Sequence, residues 1–244
     1  MLRARTCAFL LLGLAAIHTP GTTLAQNMAA GKTRRELKVS GADGQPSFSV
    51  RIRAQGRNGL ITVREENGRE VQRLACPLLR DSGEATLDEL AAVREQFIAH
   101  FMIADLDSDG HADLAGIREF GAKWSRYCVW LYDPRQRLFV KDFLAEQMEL
   151  LTNLQILRGG HVSSSQIGPA HGWTVVYRVT AADEGWPARQ LVAVRSCRIE
   201  STPDGEKPAA VLITRLEDGK TVVHRQNLAQ PDVRSALDEC GPAL

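Results

Sequence analysis

The chain has little net charge, few aromatic residues and only one long apolar run, which lies at its start. Lys and Arg number 30 against 29 Asp and Glu, and aromatic residues make up 6% of the sequence. Nucleic-acid-binding proteins usually carry a basic stripe, so this balance does not support that function. After the first 25 residues no segment has the roughly 20 apolar residues that a membrane-spanning helix needs.

Catalytic motifs are also missing. No Gly-x-Ser-x-Gly elbow accompanies the serine and histidine residues of 161–171. Glycoside hydrolysis needs two carboxylates on opposite walls of a cleft, whereas the spacing of Glu146 and Glu149 places both on one face of a helix, where we expect them to be solvated. The sequence therefore predicts a protein that is not an enzyme.

The N-terminus resembles a secretory signal peptide. Arg3 and Arg5 precede an apolar run from Cys7 to Ile17, and small residues follow up to Ala25. A basic start, a short apolar region and a small-x-small site are the three parts of such a signal. We expect export with cleavage after Ala25, and a flexible leader over residues 26–45.

Four cysteines remain outside the predicted signal, which covers residues 1–25. In an exported chain four cysteines indicate two disulfides, with three possible pairings. We favour the pairing that would tie down the C-terminus. It joins Cys76 to Cys128 and Cys197 to Cys240.

Short apolar segments separated by polar turns predict a mainly β fold with an antiparallel sheet body, propeller-like or sandwich-like. Residues 46–96 read as an N-terminal meander, with Asn67-Gly68 as a hairpin turn and residues 87–96 as a helix or a loop. Residues 97–244 form the second part, with a core strand ending at Tyr132. Its later strands are predicted at 154–158, 172–180, 189–200, 209–216 and 220–226.

An acidic loop precedes that core strand. Four aspartates occur at positions 1, 3, 5 and 9 of a loop with glycine, Gly110, at position 6, which is the pattern of an EF-hand calcium loop. Position 12 is Gly116 instead of the usual Glu, and the flanking segment 97–104 is strand-like, so we expect strand–loop–strand. The predicted ligands of a structural Ca²⁺ are Asp105, Asp107, Asp109, the carbonyl of His111, and Asp113.

Two segments together resemble a known family. They are the acidic loop 105–114 and Trp130-Leu131-Tyr132-Asp133-Pro134. The likeness is to calcium-loop β proteins of the Gram-negative periplasm that are similar in fold to inhibitors of invertebrate-type lysozyme. Some of these are immunity proteins against antibacterial peptidoglycan hydrolases delivered by type IV secretion. The resemblance covers residues 97–195 and implies a periplasmic protein with a role in interbacterial competition.

The resemblance also implies a loop that blocks the active-site cleft of a lysozyme-like hydrolase. Residues 159–172 are rich in glycine and serine, which predicts an exposed loop there. The predicted contacts with the hydrolase are Ser163, Ser164, Ser165, His171, Trp173 and Tyr177, although Tyr177 can equally pack in the core. The alternative function is a calcium-stabilised adhesion or assembly module of FG-GAP type, because such repeats share the acidic loop.

Overall fold

Antiparallel strands dominate the structure, a computed structural model, and the predicted mainly β class is confirmed. It describes residues 34–41, 45–79, 85–157, 161–167, 172–180, 189–202, 208–217 and 220–227. The predicted signal peptide, residues 1–25, therefore lies outside the described residues, as do His171 and Cys240.

The N-terminal sheet contains four antiparallel strands in chain order. They are β1 (Arg34–Val39), β2 (Phe48–Gln55), β3 (Asn58–Glu65) and β4 (Glu70–Pro77). The predicted hairpin between β3 and β4 is present, and Gly68 has φ +84° in its turn, a conformation that glycine adopts without steric cost.

Strand β1 corrects the predicted flexible leader, since it lies within residues 26–45. Its side chains alternate between solvent and core, and Val39 is buried while Glu36 is exposed. Glu36 accepts a hydrogen bond from Ser49 on β2 at 2.7 Å and forms an ion pair with Arg51 at 3.4 Å. The segment is polar in composition, but its period of two suits an edge strand with one buried face.

Helix α1 (Leu87–Ala99) follows the N-terminal sheet. Thr86 and Glu89 form a capping box, in which Glu89 N donates to Thr86 Oγ1 at 3.2 Å and Thr86 N donates to a carboxylate oxygen of Glu89 at 2.8 Å. The expectation of a strand over 97–104 is therefore wrong in its first part. Only Met102–Ala104 form a strand, β5, because the capped helix continues to Ala99.

The middle sheet has the order β5-β6-β7-β8, with β6 at Asp113–Gly121, β7 at Trp124–Asp133 and β8 at Leu138–Val140. The acidic loop joins β5 to β6, so the predicted strand–loop–strand arrangement is confirmed. Gly116 lies on β6 against α1, where an added Cβ would meet Phe97 Cε2 at 2.5 Å. Close packing of the helix explains why position 12 of the loop pattern holds glycine.

Helix α2 (Phe143–Glu149) leads to the C-terminal sheet of six strands. Asp142 caps this helix by accepting a hydrogen bond from Ala145 N at 2.9 Å. The strands follow one another in the sheet in chain order, and all five strands predicted for this part are present, together with β10, which was not predicted. The six strands are β9 (Gln155–Leu157), β10 (His161–Ile167), β11 (Gly172–Thr180), β12 (Gln190–Ser201), β13 (Pro208–Glu217) and β14 (Lys220–Asn227).

Both faces of the middle sheet are buried. On β7, Cys128, Trp130 and Tyr132 belong to one core, which they share with α1 and the N-terminal sheet. The alternate residues Val129 and Leu131 belong to a second core, shared with α2 and with Val162 of β10. The pairing of the N-terminal and middle sheets through one core makes this part sandwich-like.

The predicted boundary between residues 96 and 97 does not separate two cores. Val93 and Phe97 of α1 pack in the same core as Val63 of β3 and Leu114 of β6. A disulfide also joins Cys76 on β4 to Cys128 on β7, which confirms that predicted pair. Both cysteines are almost completely buried. Residues 46–96 therefore share their core with the middle sheet.

Candidate calcium site

The acidic loop folds around its own carboxylates. Oxygen atoms of Asp105, Asp107 and Asp109 lie within 4.8 Å of one another. Asp109 N donates to Asp105 Oδ1 and to Asp107 Oδ1, each at 3.2 Å, and Gly110 N donates to Asp105 Oδ2 at 3.1 Å. Ser108 and Gly110 have φ of 61° and 88°. These turns place three carboxylates on the inside of the loop.

Asp113 does not join this group and has a different role. Its side chain is completely buried at the start of β6. Its Oδ2 accepts a hydrogen bond from Leu106 N and its Oδ1 accepts one from Tyr132 N, both at 2.8 Å. Asp113 therefore joins the loop to the core strand β7. Each carboxylate oxygen thus accepts one backbone N–H, and the role of Asp113 as a calcium ligand stays a prediction.

A cation next to the C-terminal sheet contacts two of the three loop carboxylates. Arg189, just before β12, places Nη1 2.5 Å from Asp107 Oδ2 and 3.4 Å from Asp109 Oδ2. Its Nη2 lies 3.6 Å from Asp142 Oδ2 at the start of α2. The sequence alone could not reveal this partner, because it lies 80 residues from Asp109. One guanidinium leaves the three loop carboxylates with an excess of negative charge.

The last part of the loop is held from two sides. Gln45 donates from Nε2 to Ala112 O at 2.9 Å and accepts from Ala112 N at the same distance. The His111 ring is buried and packs edge-on against Tyr132, with ring centroids 5.4 Å apart. His111 thus contributes its side chain to the core, and its carbonyl as a ligand stays a prediction.

Burial changes the acidity of two of these aspartates. Desolvation raises the pKa of Asp107 to about 6, against the opposing effect of the Arg189 guanidinium. Desolvation and the nearby Asp107 charge raise the pKa of Asp113 to about 8, although the two backbone N–H groups favour its charged form. The folded chain therefore holds carboxylates that a divalent cation would stabilise in their ionised form.

The residues present fit a calcium ion in part. The donors are all oxygen atoms, the three carboxylates converge, and a glycine with positive φ allows the sharp turn. Arg189 shares two of the carboxylates, so a bound ion would have to displace or rearrange it. Asp105, Asp107 and Asp109 would hold the ion, whose role would be to stabilise the loop.

Without calcium, stability is expected to fall as pH rises from about 4 to 8. The pKa of Asp107 and of Asp113 is higher in the folded chain than the usual value for aspartate, so the folded state binds more protons than the unfolded state across this range. Urea unfolding at pH 4.5, 6 and 7.5 in EGTA measures the effect. Asp107→Asn should remove about half of the change between pH 4.5 and 6, because Asp113 also titrates across this window, and an unchanged slope in that variant would contradict the assignment.

Calcium at 10 mM is expected to raise the melting temperature by about 3–10 °C relative to EGTA. Extracellular-type sites bind with Kd of about 10⁻⁴–10⁻³ M, which gives about 1.4–2.7 kcal/mol of stabilisation at this concentration. Asp107→Ala should abolish the difference, because it removes a central carboxylate. Differential scanning fluorimetry of metal-stripped protein provides the measurement.

The matched control is Glu66→Ala, which removes an exposed carboxylate at the β3–β4 turn, away from the acidic loop. It should keep the full calcium response. Arg189→Gln should enlarge the response, because it removes the cation that competes for Asp107 and Asp109. A response equal in the wild type and in Asp107→Ala would exclude the acidic loop as the site.

Residues 161–167 correct the prediction of an exposed loop over 159–172. They form β10, which lies between β9 and β11 in the C-terminal sheet. Ser163 and Ser164 are buried, with 4% and 2% of their surfaces exposed. Ser164 Oγ accepts from Thr152 N and donates to Thr152 O, each at 2.9 Å. Serine suits this buried strand because its hydroxyl forms hydrogen bonds with the backbone N–H and C=O of Thr152.

The other predicted contact residues lie apart from any exposed loop in the described part of the chain. Ser165 is partly buried, and its N–H donates to Thr152 O at 3.0 Å. Trp173 is partly buried on β11 and pairs in register with Gln166 and Arg198. Tyr177 packs against the second core, which was the alternative reading of this residue. Their contacts with a hydrolase stay a prediction, and the partial burial of these side chains does not favour it.

Ser164→Ala is expected to lower the free energy of unfolding by about 1–3 kcal/mol, because it leaves the Thr152 N–H without its acceptor, while Thr152 O keeps the hydrogen bond from Ser165 N. Ser165→Ala is the matched control, since Ser165 forms its hydrogen bonds to Thr152 and Asn153 through its backbone N–H and C=O. It should cost about 0.5 kcal/mol or less. Equal losses in the two variants, measured by urea unfolding, would contradict the role of the Ser164 hydroxyl.

Two further expectations concern Glu149 and Cys197. Glu149 is buried instead of solvated: it accepts a hydrogen bond from Val129 N at 3.0 Å and forms an ion pair with Lys141. Glu149 therefore links α2 to β7.

Cys197 is buried on β12, and its predicted partner Cys240 lies outside the described residues.

No protein-family model and no curated protein matches this chain. Among the described residues, no helix is long and apolar enough to cross a membrane.

Proposed function

We propose that the protein is an exported, calcium-stabilised inhibitor of a lysozyme-type peptidoglycan hydrolase. It blocks the active-site cleft sterically and performs no chemistry itself. In the cell it would act as a periplasmic immunity protein against a hydrolase delivered by competing bacteria. The Cys76–Cys128 disulfide supports an oxidising compartment, because such bonds persist in exported proteins.

The observation that carries this proposal is a physical link between the two segments of the family resemblance. Asp113, from the acidic loop, accepts a hydrogen bond from Tyr132 N in the Trp130–Pro134 segment. The His111 ring packs on the Tyr132 ring. Both segments therefore form one unit around β6 and β7, as expected if they belong to one family feature and not to two chance matches.

The experiment is clearing of a peptidoglycan suspension by three purified lysozymes, of the invertebrate, chicken and goose types, with increasing amounts of this protein. A parallel assay uses any peptidoglycan hydrolase that is encoded beside its gene. We expect at least one of these enzymes to be inhibited in a saturable manner. Full activity of every enzyme would overturn the proposal, and calcium binding without inhibition would favour the adhesion or assembly module.

A further inference from the structure

The hairpin tip, which we define as residues 120–126 between β6 and β7, exposes aromatic and cationic side chains. Phe120 is 36% exposed, and Lys123 is exposed at the turn itself. Trp124 is partly buried, and the Arg126 guanidinium carbon lies 5.9 Å from its ring centroid. Aromatic residues and arginine are enriched at the positions that dominate binding energy in protein interfaces.

Asn153, which precedes the C-terminal sheet, holds the hairpin tip in place. Its Oδ1 accepts from Ser125 N at 2.8 Å, its Nδ2 donates to Lys123 O at 3.0 Å, and its N–H donates to Ser125 O at 2.8 Å. An added Cβ on Gly121 would lie 2.3 Å from Trp124 Nε1, so the indole packs directly on that glycine. A tip fixed in this way loses little conformational entropy on binding.

A groove of about 300 Å³ runs beside the tip. Its walls include Gln96 and His100 of the α1 end, Phe120, Trp124 and Asn153. Lys123 also lines it, and no Asp or Glu does. The surface around the tip therefore combines apolar rings with a positive charge and neutral hydrogen-bonding groups.

We propose that the hairpin tip, instead of residues 159–172, enters the cleft of the hydrolase, with Lys123 facing its acidic floor. This inference rests on the proposed function. Glycoside hydrolases use a pair of carboxylates that flank the scissile bond, so their clefts are acidic at the centre. Lys123 supplies the complementary charge. Phe120 supplies an apolar surface that packs against the wall of the hydrolase cleft, where the sugar rings of the substrate would bind.

A protein partner suits this surface better than a free saccharide. Sugar-binding sites need an aromatic face open for stacking, whereas the Trp124 ring is already engaged by Gly121 and by the Arg126 guanidinium. The lysine at the turn has no such constraint and is free to reach a concave, acidic surface. Charge pairs of this kind set both association rate and specificity in protein complexes.

The test uses the full-length protein and the hydrolase that the wild type inhibits in the clearing assay. Lys123→Glu and Phe120→Ser should each raise the inhibition constant by about tenfold or more. The control is Arg135→Glu, a charge reversal at the exposed turn before β8. It should inhibit like the wild type. Melting temperatures of all variants verify that the fold is kept.

The outcomes separate this inference from the proposed function. If the wild type inhibits and both tip variants inhibit equally well, the tip is not the contact, while the inhibitor function stands. If no hydrolase is inhibited by the wild type, the function fails and the inference fails with it. Calorimetric binding of tri-N-acetylchitotriose to this protein, lost in Phe120→Ser, would show a saccharide site and overturn the inference.

Discussion

Replacement of both Cys76 and Cys128 by serine is expected to lower the free energy of unfolding by about 4 kcal/mol. The bond joins residues 52 apart in sequence, and the loop-entropy relation gives about this value for a closed loop of that length. It also links β4 of the N-terminal sheet to β7 of the middle sheet. Urea unfolding of the double variant measures the loss.

Ala75→Ser is the control for this prediction, because it adds a hydroxyl at an exposed position next to Cys76. It should leave stability within about 0.5 kcal/mol of the wild type. A loss below about 1 kcal/mol in the double variant would mean that the shared core alone holds the two sheets together.

Asp113→Ala is expected to cost about 3–5 kcal/mol, the second large effect. It removes the acceptor from two backbone N–H groups, those of Leu106 and Tyr132, inside the protein. Each buried donor left without a partner costs about 1–3 kcal/mol, and the lost packing adds to this. Asp113→Asn should cost less, because its amide oxygen still accepts one of the two bonds.

The same variants distinguish a brace from a metal ligand. If Asp113 braces the loop, the loss in Asp113→Ala is present in EGTA as well as in calcium. If it were a ligand of the ion, most of its effect would vanish in EGTA. Unfolding curves in both conditions decide between these roles, with Asp107→Ala as the comparison for a true ligand.

Much of the fold could be predicted from local patterns. Strand β11 runs over residues 172–180, as predicted, because Val175 to Tyr177 are bounded by glycine and polar residues. The core strand ending at Tyr132 could be predicted because an unbroken apolar run needs burial on both faces. These two strands are determined by residues close together in the sequence, so the local pattern of apolar and polar residues predicts them.

Strand β10 could not be predicted in this way. Three consecutive serines favour a loop by preference, and the partner that makes Ser164 suitable for a strand is the backbone of Thr152, 12 residues earlier. When a side chain forms its hydrogen bonds with a distant backbone group instead of with water, the neighbouring residues in the sequence do not reveal it. The prediction of an exposed loop over residues 159–172 was wrong for this reason.

The acidic loop shows the same limit within one motif. Spacing correctly grouped Asp105, Asp107 and Asp109, because turn geometry is local. It could not show that Asp113 reaches the backbone of Tyr132 instead, since that depends on the pairing of β6 with β7. Nor could it show Arg189, which the C-terminal sheet brings to the loop.

Competition between this protein and a substrate fragment is the most direct test of steric inhibition. The affinity of the inhibited hydrolase for this protein is measured by calorimetry with and without saturating tri-N-acetylchitotriose, which occupies the glycan cleft. If the protein blocks the cleft, the fragment weakens its binding by about tenfold at a concentration of ten times the Kd of the fragment, since both need the same cleft. Equal affinity with and without the fragment would contradict cleft blocking.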